Sequence, residues 1–187
     1  MSNLQLITKF RPIFIFSKGE KYYPVNKKFL KDHNTNEKYS NDFRLDETEN
    51  VTSPQEPLYY HLLEEDESEI AVVYTLIFPY SVGGFFNILG KRGDILSCLA
   101  VINKKTKTLR EIYYWNKDRE IFDIKTTRPV IFVTANDHHF RKEMDKEMRG
   151  FRWEPEKIED FNLKKLGDMT LEGKRFDQFL SIYNILT

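Results

Sequence analysis

One place in the 187-residue chain concentrates side chains able to do chemistry: Asp137-His138-His139, with Glu143 shortly after. His139 and Glu143 stand four positions apart, a spacing that shares one helix face and can hold a metal ion. Asp137 as a helix cap with exposed histidines accounts for the same residues more simply, and that reading is preferred. Asp94 is the other candidate. It ends an Arg92-Gly93-Asp94 tripeptide, a receptor-binding sequence only on a secreted protein or particle surface, and here it reads as a chance occurrence at the start of a strand.

Catalytic signatures are otherwise missing. The chain has no phosphate-binding glycine loop, no GxSxG, no HExxH and no paired-cysteine metal pattern. Ser81-Val82-Gly83-Gly84 reads as a turn, not a nucleophile elbow. No catalytic residue and no cofactor is therefore assigned. Asp94, Asp137, His138 and His139 remain candidate binding residues.

These residues hang on a strongly apolar stretch, Glu69–Asn103. Its first strand puts Ile70, Val72, Tyr74, Leu76, Phe78 and Tyr80 on one face and Ala71, Val73, Thr75 and Ile77 on the other. The second strand, 93–103, is equally apolar on both faces, so the two read as neighbouring central strands covered on both sides. The lone cysteine, Cys98, falls inside this core as a small buried residue.

Pro12–Phe16 reads as a short strand followed by a turn, and Val25–His33 as a short helix. Residues 33–57 are a long polar loop. Pro57–Leu62 reads as an edge strand, and the acidic run Glu64–Glu69 as a solvated turn. Leu109–Trp115, Glu120–Lys125 and Thr127–Ala135 supply further strands, and a helix follows from Asn136, stopped by Gly150. A last helix, 174–187, carries Phe176, Phe179, Leu180, Tyr183 and Leu186 at helical spacing, a stripe that covers an open edge of the sheet or meets a partner. No internal repeat is evident. The expectation is one domain over 1–187, mainly β (α+β): an antiparallel β-sandwich with peripheral and C-terminal helices.

Lys+Arg and Asp+Glu both number 29, a formal net charge of zero that argues against a general nucleic-acid binder and favours life in an assembly. No signal peptide and no membrane-length apolar run is read. A single cysteine suits a reducing compartment. These features predict a cytoplasmic or virion-borne protein with other protein subunits as partners and peripheral membrane contact at most.

Four stretches in order resemble the Vps62-related family, which is distantly similar to NPP1-like necrosis-inducing proteins. They are FRPIFIFSKGEKYYPVNKKFL (10–30), YTLIFPYSVGG (74–84), GKRGDILSCLAVI (90–102) and RPVIFVTANDHH (128–139). The third sits where the family carries an HxGDWE-like motif. Only Gly93 and Asp94 of that motif survive, with Lys91 or Arg92 in place of the histidine, Ile95 of the tryptophan and Leu96 of the acid. The intact motif would aim two carboxylates at one point, suited to a hard cation; with Leu96 in the second place, the resemblance implies an eroded metal site. The leading expectation is a non-catalytic structural or interaction module, such as a component of a viral capsid. The alternative is a β-sandwich binding a sugar or lipid headgroup, as resemblance to NPP1-like proteins implies, and the third a degenerate metal-dependent hydrolase.

Overall fold

The computed structural model describes residues 1–26, 51–83, 89–114, 120–122 and 128–161. Expectations for the rest of 27–50, for the connection at 84–88 and for the helix at 174–187 lie outside these residues. The chain opens with helix α1 (Asn3–Lys9), whose cap Ser2 accepts from the Gln5 N–H while the Gln5 side chain accepts from the Ser2 N–H. Strands follow as β1 (Ile13–Ser17), β2 (Leu58–Glu65), β3 (Glu69–Gly83), β4 (Leu89–Asn103), β5 (Thr108–Tyr114), β6 (Glu120–Phe122), β7 (Val130–Val133), β8 (Phe140–Arg141), β9 (Arg149–Trp153) and β10 (Ile158–Asp160).

The strands form two sheets, one ordered β8-β7-β1-β9 and the other β10-β2-β3-β4-β5-β6. Their facing sides share one core. Phe14 and Phe16 of β1, Ile131 and Val133 of β7, Phe140 and Trp153 meet Ile70, Val72, Tyr74, Leu76 and Phe78 of β3 and Leu96, Cys98, Ala100 and Ile102 of β4. This is the expected sandwich, and the long β3–β4 hairpin is antiparallel in register from Glu69↔Asn103 to Gly83↔Leu89. Cys98 is fully buried within it. Helix α1 adds Leu6, Ile7 and Phe10 to the same core, fixed by the buried Tyr74 hydroxyl, which donates to the Ile7 carbonyl at 2.6 Å.

Three expectations change. The sheets are mixed, not antiparallel: β1 runs parallel to β7, and β10 parallel to β2. The first of these pairs aligns Ile13 with Val130, so two Arg-Pro-led strands, RPIFIF and RPVIFV, lie side by side in register as a short internal repetition. The strand beginning near Leu58 is not an edge, because β10 pairs with its outer side. No helix starts at Asn136. Asn136 and His138 take φ of 65° and 47°, left-handed values that break helix continuity. Among the described residues the segment is instead a tight loop, the hairpin strand β8, a short 3-10 turn (Lys146–Met148) and β9. Gly150 therefore lies in a strand and stops nothing. No helix among the described residues is long and apolar enough to cross a membrane.

Candidate functional site

The loop joining β7 to β8, Thr134–His139, carries three of the four candidate binding residues. Thr134 organises it. The Thr134 and His139 backbones bond at 3.0 Å, the Thr134 hydroxyl accepts from the His139 N–H at 2.8 Å, and that hydroxyl donates to the Asp137 carboxylate. The left-handed backbone at Asn136 and His138 then turns successive side chains in opposite directions.

His138 points inward. Its side chain is fully buried, stacked on Phe78, with Nε2 3.3 Å from Glu20 Oε1. Glu20 follows the turn after β1 and its side chain is equally buried. Its Oε1 accepts from the Lys21 N–H at 2.9 Å and the Tyr22 N–H at 2.6 Å, and its Oε2 accepts from the Asn136 N–H at 3.0 Å. One carboxylate thus ties the segment after β1 to the segment after β7. An ionised carboxylate only accepts, so His138 Nε2 carries the proton of this contact. Burial pushes the Glu20 carboxyl up, but the hydrogen bond and charge of His138 and the N–H groups of Tyr22 and Asn136 outweigh it and hold it below its ordinary value.

Asp137 and His139 point outward. Their side chains are 43% and 56% exposed, with His139 Nε2 3.8 Å from Asp137 Oδ2. Glu20 also brings the Tyr22 backbone next to this loop, through its bonds to the Tyr22 and Asn136 N–H groups. The outer surface therefore offers a carboxylate and an imidazole on a loop held from within. That set can accept hydrogen bonds from hydroxyl or ammonium groups and stack on a ring; it contains no activated nucleophile.

The fourth candidate, Asp94, occupies the position opposite Phe78 in the β3–β4 register. Since Phe78 contacts His138, the fold brings the Asp94 position and the 134–139 loop to the same end of the sandwich; the Asp94 side chain is outside the described part. His139 and Glu143 do not share a helix face, because no helix exists there. Among the described residues no group of three or more His, Cys, Asp or Glu side chains could hold a metal ion.

Sequence reasoning missed Glu20 as the partner of His138. Its signal was divided between two stretches, SKGEKYYP and TANDHH, that meet only because β1 and β7 pair in parallel.

The two-layer β-sandwich is similar in fold to solved necrosis-inducing proteins. The chain is similar to Necrosis and Ethylene inducing Protein 2 from the causal agent of cocoa's Witches Broom disease, with a TM-score of 0.54 at 16% identity over 94% of this chain and 79% of that one. Non-toxic HaNLP3 gives a TM-score of 0.51 at 13% identity, over 92% and 78% of the two chains. A mutant of NLPPya gives 0.50 at 12% identity, over 92% and 77%. No family model and no curated protein matches the sequence.

Proposed function

We propose that the chain forms one β-sandwich domain that binds a sugar, alone or as part of a lipid headgroup, through the outer surface of the 134–139 loop. Asp137 and His139 are the contact residues, and the Asp94 position lies at the same end. The observation that carries this reading is the division of labour within one loop. His138 and Glu20 fix it from the core, while Asp137 and His139 are presented to solvent on that fixed backbone. A purely structural module has no need of a pre-set exposed carboxylate–imidazole pair. The likeness to toxin-fold proteins favours ligand binding over a capsid role, for which nothing in the architecture speaks.

The reading is non-catalytic. Neither Asp137 nor His139 is set against a nucleophile, and the buried Glu20–His138 pair is closed to substrate. NLPPya has been described in complex with mannosamine and with glucosamine, which makes these amino sugars natural first probes. An ammonium group would meet the Asp137 carboxylate, and a ring face the exposed His139 imidazole.

Calorimetric or NMR titration with glucosamine and mannosamine tests the proposal. Saturable binding is expected, weakened at least tenfold by Asp137→Asn and lost in the double variant Asp137→Asn/His139→Ala, with melting temperatures unchanged. Binding that survives the double variant would place the site elsewhere. Absence of saturable binding to either sugar would remove the reading.

A further inference from the structure

The edge strand β9 carries an irregularity that turns an aromatic ring out of the core. Its register sets Trp153 opposite Phe14, Arg152 opposite Ile15 and Arg149 opposite Ser17. Two residues, Gly150 and Phe151, therefore stand against Phe16 alone, which makes a β-bulge. Trp153 is buried in the shared core, whereas Phe151, two positions away, is 43% exposed. Bulges at sheet edges re-aim side chains beside binding sites. They also blunt an edge against pairing, but that role is served by charged side chains and has no use for an exposed phenyl ring.

Phe151 is part of a file of rings that begins at the candidate loop. Phe78, the platform under His138, lies 6.5 Å from Phe16; Phe16 meets Tyr23 edge-on at 5.3 Å, and Tyr23 meets Phe151 edge-on at 5.8 Å. Burial, and then the charge of nearby Glu20, pushes the phenol of half-buried Tyr23 up, which sets this ring beside the carboxylate that ties down the 134–139 loop. The register agrees. β1 lies between β7, which feeds the loop, and β9, with Phe16 paired to Val133 and Ser17 to Arg149. Two strand spacings, about 10 Å, separate β7 from β9. A single sugar ring does not cover that distance, but two linked rings do.

We infer that Phe151, backed by Tyr23, is a shelf for the apolar face of a second sugar ring, so that the ligand is a glycoside of at least two pyranose rings, the first held at Asp137 and His139. This rests on the sugar-binding reading above and narrows it. A pyranose with equatorial hydroxyls carries a face of C–H bonds that lies on an aromatic ring while its hydroxyl rim stays in water. The cations beside the bulge are already engaged. Arg149 donates to the Met144 carbonyl and lies over Phe132, and Arg152 donates twice to Glu154. The shelf therefore selects by the shape of a sugar face, not by charge.

Titration of the full chain with glucosamine and with its β-linked dimer tests this. The dimer should bind about tenfold more tightly than the single sugar, the scale of one added ring stack. Phe151→Ala, and Phe151→Leu, which keeps apolar bulk without a ring, should both abolish that advantage. Phe151→Tyr should keep it, and melting temperatures report whether each variant is folded. A dimer that binds no more tightly than glucosamine would overturn the shelf and leave the loop reading in place. So would an advantage that survives both ring-free variants, or one that is lost equally in Phe151→Tyr. Dimer binding that depends on Phe151 but not on Asp137 and His139 would support the shelf and remove the loop reading. Binding of neither sugar would remove both.

Discussion

The imidazole of His138 lies flat on the ring of Phe78, with centroids 3.8 Å apart and planes 16° from parallel. Phe78 is on the core face of β3, and His138 sits in a loop of the opposite sheet, so this contact joins the two layers at the end that carries the candidate site. Phe78→Leu preserves most of the apolar volume but removes the flat platform. It should cost about 1 kcal/mol beyond any packing loss, the usual worth of a stacked ring pair. Denaturant unfolding of the variant measures it. The same substitution should weaken sugar binding by loosening the loop, although Phe78 touches no ligand.

Cys98 is fully buried opposite Tyr74 and Tyr114 in the register of the central sheet. Burial pushes its thiol well above the ordinary range, so almost no thiolate is present at neutral pH. A thiol reagent should react only as fast as the protein opens, and should react quickly once denaturant is added. Rapid labelling of the native protein would show that the β3–β4 core is open.

Gly150 faces a tighter constraint. A Cβ at this position would stand 3.0 Å from three backbone atoms of the neighbouring segment, Phe16 O, Ser17 O and Lys18 N. Backbone cannot swing aside as a flexible side chain can. Gly150→Ala should therefore push β9 off β1 near the Ile15–Ser17 register shift. The expected loss is about 1–3 kcal/mol. Thermal unfolding reads it, and a neutral substitution would mean that β9 does not approach β1 so closely.

How much of this was legible in the sequence depends on how local each signal was. The β3–β4 hairpin was legible because both strands are apolar on both faces and adjacent in sequence. The α1 cap is legible in principle as Ser2-x-x-Gln5, a capping box. The β1–β7 pairing was not, since parallel strands far apart leave no local trace. The stretch after Asn136 was misread because its capping residues and the His139–Glu143 spacing imitate a helix. The alternation that decides it, buried His138 and Phe140 against exposed His139 and Arg141, becomes visible only once a histidine is counted as core. Glu20 looked like one charge in a polar turn; nothing local marks it as buried.

Glu20 also sets an acid limit on the fold. Its carboxyl is held below its ordinary value of 4.5, because His138 and two backbone N–H groups favour the ionised form more strongly than burial disfavours it. A group whose folded value is depressed contributes stability that is fully present above its unfolded value and is lost as pH falls through the folded one. The wild-type chain should therefore hold this contribution at pH 5 and above, and lose it progressively below 4.5. Glu20→Gln keeps the shape but removes the charge and turns one acceptor into an amide nitrogen, a donor facing an N–H group that needs an acceptor. At neutral pH it should cost about 3 kcal/mol or more, as expected when one partner of a buried pair is removed. The gap between wild type and variant should narrow as the medium is acidified, since the wild-type carboxyl takes up the proton that makes it resemble the variant. Unfolding curves for both proteins between pH 3 and pH 7 decide the matter. A gap that stays constant across that range would mean that Glu20 holds the two loops by shape alone, without its charge.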